Sequence, residues 1–146
     1  MMTRRQMTAM ALATLALPAA ASAATKPRAT LYKNPDCGCC EGHARYLRAH
    51  GFEVKEVATP DLPLIKKQHG VPDALEGCHT ILIDKYVIEG HVPVGAINKL
   101  LAERPGIKGI SLPGMPEGSP GMTGRKKAPF TILEIADGEP RIYARE

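Results

Sequence analysis

Three of the four cysteines in this chain lie within four positions. The stretch NPDCGCCEGH contains Cys37, Cys39 and Cys40, and His43 follows one helical turn later. Thiols this close together either oxidise to disulfides or share a metal ion that keeps them reduced. Thiolate sulfur selects soft metals, namely Cu(I), Zn(II) and iron–sulfur centres. The motif therefore indicates thiol redox chemistry or a soft-metal site.

Cys37 and Cys40 by themselves form a C-x-x-C motif at the start of a predicted helix. A helix N-terminus stabilises thiolate, and this arrangement serves thiol–disulfide exchange. Cys39 is an obstacle to such exchange, because a third thiol can capture a mixed disulfide. It can pair with Cys40 only through a strained ring. For a soft metal, by contrast, three thiolates on one turn are an advantage.

Two methionines offer further sulfur donors. Met115 and Met122 lie in LPGMPEGSPGM, which has no apolar period, so neither is expected in the core. Thioether sulfur binds Cu(I) without losing a proton and cannot form a disulfide, whereas zinc rarely uses it. As ligands these residues favour copper. The alternative is that both are exposed or gap-filling side chains.

The elements that must position these residues alternate between strands and helices. Strands are predicted at Ala29–Lys33, in FEVKEVA, and in TILIDKYVIEG with a tight turn at Asp84–Lys85. Helices are predicted in EGHARYLRAHG, DLPLIKKQHG and VGAINKLLAERPG. The order β-α-β-α-β-β-α is that of an α/β, thioredoxin-like fold, with the cysteine motif at the end of the first strand.

The C-terminal part of the chain has a different pattern. PGIKGISLPGMPEGSPGMTGRKKAP is dense in Gly and Pro and is predicted to be one long loop, of a kind that is functional or disordered in small domains. FTILEIADGEPRIYARE then predicts a β-hairpin across Asp137–Gly138. The hairpin would pin the Gly/Pro/Met loop to the body of the domain.

The fourth cysteine precedes the strand that begins at Thr80. In a thioredoxin-like fold the residues at Cys78 and His79 face the C-x-x-C motif, so Cys78 is expected to be a ligand rather than a small buried hydrophobe. His79 is expected to be a ligand or a hydrogen-bond partner of one. His91 follows the next strand and is a further candidate, although a histidine there is commonly structural.

The first 23 residues are typical of a secretory signal. Arg4 and Arg5 precede an apolar run over residues 10–21, and small residues at 21–23 suit cleavage. The run is too short to span a bilayer comfortably, although a retained anchor is the alternative. Export by the Sec or the twin-arginine route is left open by TRRQMT. We expect one domain, residues 24–146, in a bacterial periplasm, where unprotected thiols oxidise.

Charge and missing motifs exclude several functions. Residues 24–146 carry 17 basic and 15 acidic side chains, a net charge of +2 with neutral histidines. This mild charge favours neither nucleic acid nor a membrane surface as a partner. No G-x-G-x-x-G, P-loop or HExxH motif is present, and Ser111 and Ser119 lie in no nucleophile motif. No catalytic residue and no organic cofactor are therefore predicted.

NPDCGCC, GCHTILIDKYVIEGHVP and LPGMPEGSPGM together resemble the CopG-type periplasmic copper-resistance proteins. The resemblance extends over essentially all of residues 24–146, with the motifs in the same order. It implies a thioredoxin-like fold that binds copper at its cysteines, and an association with copper-efflux systems. Many relatives carry an aromatic residue at the position of His43. A histidine there would add a ligand or change the packing.

We therefore expect a periplasmic copper-binding protein of copper resistance that holds Cu(I), with a multi-copper thiolate cluster and Cu(I)/Cu(II) cycling as finer expectations. The expected metal ligands are Cys37, Cys39, Cys40, Cys78, Met115, Met122, His79 and His91. The expected partners are copper ions and periplasmic efflux components. A metal-binding protein is favoured over a copper oxidoreductase. The alternatives are a thiol–disulfide oxidoreductase that uses Cys37 and Cys40, and a structural zinc domain.

Overall fold

The computed structural model describes residues 25–146, and the predicted signal segment, residues 1–23, lies outside them. The helices are α1 (Gly38–Ala49), α2 (Leu62–Gln68) and α3 (Val94–Glu103), with a 3-10 turn at Asp73–Leu75. The strands are β1 (Ala29–Lys33), β2 (Val54–Ala58), β3 (Thr80–Ile83), β4 (Tyr86–Glu89), β5 (Gly109–Ser111), β6 (Thr131–Ile135) and β7 (Ile142–Arg145). Every predicted helix and strand is present, which confirms the α/β, thioredoxin-like element order.

The strands form one mixed sheet in the order β2-β1-β3-β4-β5-β6-β7. The β1–β2 and β4–β5 pairs are parallel, and the other four pairs are antiparallel. β1 lies between β2 and β3, with Tyr32 opposite Thr80. The carboxyl end of β1 therefore lies beside the amino end of β3, so the cysteine motif after β1 and the Cys-His pair before β3 are neighbours.

The prediction of one long loop after α3 is partly wrong, because this segment contains β5. Gly109–Ser111 is fully buried and pairs with β4 on one side and β6 on the other. A strand of three residues is too short to show a period-two pattern, so only its pairing partners reveal it. Gly109 suits this position because a Cβ there would overlap the carbonyl oxygen of Val87. The irregular loop is confined to residues 112–130.

The core lies between the sheet and the apolar faces of α1 and α3. α1 buries Cys40, His43, Ala44 and Leu47, and it ends before Gly51, whose φ of 88° is in the left-handed region. The hairpin β6–β7 is confirmed and extends the sheet beyond β5. Within residues 25–146, no helix is both long enough and apolar enough to cross a lipid bilayer.

Candidate metal centre

The four cysteines come from two chain segments that the sheet places side by side. Cys37 caps the N-terminus of α1, and Cys39 and Cys40 lie in its first turn. The helix begins at Gly38, three residues before the start that the sequence predicts. Cys78 precedes β3, and the four sulfur atoms all lie within 4.8 Å of one another. The prediction that Cys78 faces the cysteine motif is confirmed.

The sulfurs form one contiguous cluster. Cys37 and Cys40 are joined by a disulfide bond, whereas Cys39 and Cys78 are free thiols. The Sγ atom of Cys39 lies 3.5 Å from that of Cys37 and 3.7 Å from that of Cys78. The Sγ atoms of Cys40 and Cys78 are 3.5 Å apart. Two electrons and two protons would convert the disulfide into thiols and make all four sulfurs available.

Three imidazoles lie on the buried side of Cys78. The Sγ atom of Cys78 is 3.1 Å from Nδ1 of His79 and 2.9 Å from Nε2 of His91. His43, from α1, places its Nδ1 2.7 Å from Nε2 of His79. All three histidines have no exposed surface. The structure thus brings the predicted His79 and His91 to Cys78, and it adds His43 behind them.

Burial favours the uncharged forms of these groups. Desolvation lowers the pKa of His43 to about 3, and the nearby His91 contributes to this shift. Desolvation is also the main reason why the pKa values of His79 and His91 lie below their usual range. Burial, assisted by Cys39, raises the pKa of the Cys78 thiol to about 12. Neutral imidazole is the form that binds metals, and a metal would displace the thiol proton.

A buried ion pair supports the segment that carries Cys78. Lys66 of α2 donates to Glu89 of β4, to the Gly77 carbonyl at 3.1 Å and to Oγ1 of Thr80 at 3.2 Å. Glu89 in turn accepts from the Gly77 N–H at 2.8 Å and from the Thr80 hydroxyl at 2.7 Å. The residues that flank the Cys-His pair are therefore held by one charged pair with almost no solvent exposure.

Sequence reasoning missed Lys66 and Glu89. One signal pointed to Lys66, because it lies four residues after the buried Leu62 and therefore on the same face of α2. Glu89 ends a strand whose four residues are all buried. Nothing in the sequence distinguishes it from an ordinary acidic residue at the end of a strand.

The two predicted methionines have different surroundings. Met115 lines an open cleft of about 570 Å³ together with Cys37, Cys39 and Cys78, and the residue is 57% exposed. Met122 is half-buried and does not line this cleft. Its N–H donates to the Ser119 carbonyl at 2.9 Å, in a turn of the loop. The structure therefore brings one of the two thioethers to the mouth of the cysteine cluster.

The loop backbone is packed against α1 and His91. His91 Nδ1 lies 2.6 Å from the Pro120 carbonyl oxygen. Gly42 of α1 meets Gly121, whose φ is 86°, and a Cβ at Gly42 would lie 2.8 Å from the Gly121 carbonyl oxygen. Both glycines are needed for this approach, since a side chain at either would separate the loop from the helix. The predicted pinning of the loop is thus observed next to the histidines.

The sheet has a thioredoxin-like element order, with cysteines clustered after β1 and three histidines behind them. These features define a thioredoxin-like protein with a candidate metal centre. The chain matches a family model described as "Protein of unknown function, DUF411" over residues 75–122, which include Cys78, His79 and His91. No curated protein matches.

Two solved structures are more informative. Both are titled copper resistance protein copG, as form 1 and form 2, and each is 34% identical to this chain with a TM-score of 0.76. Each alignment covers 83% of this chain and 98% of the solved chain. The chain belongs to the CopG family of copper-resistance proteins. Its four clustered cysteines form a candidate metal site.

Proposed function

We propose that this protein holds Cu(I) in copper resistance through the sulfur atoms of Cys37, Cys39, Cys40 and Cys78. The observation that carries the proposal is the convergence of four sulfurs from two chain segments within 4.8 Å. The disulfide must first be reduced, because only thiolates bind the metal strongly.

The spacing of the sulfurs suits a soft metal ion. Two thiolates bound to one tetrahedral ion, with metal–sulfur bonds of about 2.3 Å, lie about 3.8 Å apart. The three non-bonded separations of 3.5–3.7 Å are close to this value. Cys78 is within this range of both Cys39 and Cys40, so its thiolate can bridge two ions. This supports a multi-copper cluster rather than a single site.

The remaining ligands approach from opposite sides of the cysteines. His79 and His91 offer nitrogen from the buried side at 3.1 and 2.9 Å from Cys78 Sγ. Met115 offers a thioether from the open cleft. Met122 is also proposed as a ligand, and it would require a rearrangement of the loop. Sulfur suits Cu(I) and imidazole also suits Cu(II), which supports cycling between the two states.

The site of action that we propose is the periplasm. Residues 1–23 would direct export and be removed, leaving residues 24–146 as the copper-binding domain. Components of a copper-efflux system are the proposed protein partners. The disulfide in the cluster is consistent with an oxidising compartment.

The direct test is an anaerobic titration of the reduced protein with Cu(I). Thiolate-to-copper charge-transfer absorption should rise in the near ultraviolet, where a chain with no Trp and four Tyr contributes little. Uptake of more than one copper per chain would support the bridged cluster. If the protein retained zinc against an excess of Cu(I), the proposal would fail and the structural zinc domain would be favoured.

The disulfide itself favours a second candidate, thiol–disulfide exchange with protein substrates. The half-buried Cys37 is more accessible than the buried Cys40. A substrate thiolate would attack Sγ of Cys37 and release Cys40 as thiolate. A second substrate thiolate would then attack the mixed disulfide and release Cys37, so that the substrate is oxidised and the C-x-x-C pair is reduced. This activity needs neither Cys39 nor the methionines.

A further inference from the structure

His43 has no place among the proposed copper ligands, yet it is a fully buried polar side chain in the hydrophobic core. Both of its ring nitrogens are within hydrogen-bond distance of a partner. Nε2 lies 3.0 Å from the carbonyl oxygen of Val92, and Nδ1 lies 2.7 Å from Nε2 of His79. These two contacts determine which nitrogen carries the proton in each ring.

The carbonyl of Val92 can only accept a hydrogen bond. Nε2 of His43 therefore carries a hydrogen, and in the neutral ring Nδ1 is left with a lone pair. That lone pair accepts a hydrogen from Nε2 of His79 at 2.7 Å. The lone pair of His79 is then on Nδ1, which faces the Sγ atom of Cys78 at 3.1 Å.

His91 is fixed in the same way by a different carbonyl. Its Nδ1 donates to the Pro120 carbonyl at 2.6 Å, so the lone pair is on Nε2, 2.9 Å from Cys78 Sγ. Two imidazole lone pairs thus converge on one sulfur from the buried side. Both lone pairs are directed at the cysteine cluster before any metal binds, and an ion shared with the sulfur would need a nitrogen–sulfur separation of about 3.5 Å.

The same contacts make His43 a poor ligand, although one of its ring nitrogens lies within 4.8 Å of a nitrogen of each of the other two imidazoles. Two nitrogens on one tetrahedral ion, with bonds of about 2.0 Å, lie about 3.3 Å apart. The 2.7 Å between His43 and His79 accommodates a shared hydrogen and is too short for a metal. With a hydrogen on Nε2, the lone pair of His43 is on Nδ1, and that lone pair is already used by the N–H of His79.

We infer that His43 is a positioning residue, which holds His79 in the Nε2–H tautomer so that its Nδ1 lone pair is directed at the cysteine cluster. The structural part of this inference stands on hydrogen-bond geometry alone. Its consequence for copper rests on the proposed function. Hydrogen-bond partners of metal-binding histidines change metal affinity by about 10- to 100-fold when they are replaced.

The test uses two substitutions of different chemistry. His43→Phe removes both hydrogen bonds and leaves the His79 N–H without an acceptor. His43→Gln keeps an amide oxygen that can accept from His79 and an amide N–H that can donate to Val92. His50→Phe, at the exposed end of α1, is the control for loss of a histidine elsewhere on the same helix.

The readout is the protonation of the His79 ring nitrogens by ¹⁵N NMR of the metal-free protein. The wild type should carry hydrogen on Nε2 with Nδ1 unprotonated. In His43→Phe the hydrogen should move to Nδ1, where Cys78 sulfur can accept it, and His43→Gln should restore the wild-type pattern. A wild-type His79 with hydrogen on Nδ1, or identical spectra in all variants, would overturn the inference. The wild-type spectrum decides the tautomer even if His43→Phe does not fold.

Copper binding is measured separately by competition with a Cu(I) chelator. The affinity should fall about 10- to 100-fold in His43→Phe and stay within about threefold of wild type in His43→Gln and His50→Phe. Equal affinities in His43→Phe and wild type would overturn the consequence for copper. If the wild type bound no Cu(I), the proposed function would fail, while the tautomer result would still stand or fall by the NMR.

Discussion

Replacement of Lys66 by methionine should destabilise the fold more than its position on a short helix suggests. The substitution keeps most of the apolar volume and removes the ammonium group from Glu89, the Gly77 carbonyl and the Thr80 hydroxyl. Breaking a buried ion pair by removing one partner costs about 3–5 kcal/mol, because the other charge is left buried. Glu89 would keep two of its donors, so we expect about 3 kcal/mol.

Urea denaturation and thermal melts of the metal-free protein would measure this effect. A loss of about 3 kcal/mol corresponds to a fall in Tm of roughly 10 °C for a domain of this size. Lys67→Met is the matched control, because this neighbouring lysine of α2 is exposed, and its cost should be below about 0.5 kcal/mol.

A double variant tests the cause. Glu89→Gln together with Lys66→Met removes the unpaired charge and keeps an amide oxygen for the Gly77 N–H, while the amide NH2 can donate to Oγ1 of Thr80. It should recover about 1–2 kcal/mol relative to Lys66→Met, since contacting residues couple by such amounts. The reasoning is refuted if Lys66→Met costs less than about 1 kcal/mol, or if the double variant is no more stable than the single one.

Two further substitutions test the sulfur ligands. Cys39→Ser should reduce Cu(I) uptake and leave any disulfide exchange through Cys37 and Cys40 intact, as measured by reduction of insulin. Intact copper uptake with lost exchange would instead favour the oxidoreductase. Met115→Leu should weaken Cu(I) binding about tenfold, equivalent to about 1.4 kcal/mol, and reduce the copper-dependent hydrogen-exchange protection of the loop. Met122→Leu, which likewise removes only sulfur, should have the same effect if the loop rearranges on binding. Unchanged Cu(I) affinity in both methionine variants would restrict the site to cysteine and histidine.

The regular part of the fold could be predicted because each element carries its own local signal. α1 and α3 have apolar residues at helical spacing, and β3 and β4 are joined at the predicted turn, Asp84–Lys85. β5 could not be predicted, because three residues show no period and the strand exists through its hydrogen bonds to β4 and β6. The start of α1 was also misplaced, since Gly38 is a poor helix former.

The candidate site was predictable to the extent that topology follows from element order. A cysteine motif after β1 and a cysteine before an antiparallel β3 must meet, because the two strands are neighbours. The disulfide between Cys37 and Cys40 follows the C-x-x-C spacing, although the spacing alone left oxidation and metal binding as alternatives. The different surroundings of Met115 and Met122 depend on the path of an irregular loop, for which the sequence has no periodic signal.

Sequence alone determined the donor chemistry of this protein, since sulfur and imidazole types and the order of strands and helices are properties of the chain. The tertiary structure decided how those donors are oriented. The lone pair of His79 depends on His43, from a helix 36 residues earlier in the chain, and on a carbonyl of Val92. The position of the segment that carries Cys78 depends on Lys66 and Glu89, which come from a helix before it and a strand after it in the sequence. Hydrogen bonds between segments that are distant in sequence form only when the tertiary fold brings those segments together. No local sequence pattern therefore encodes them.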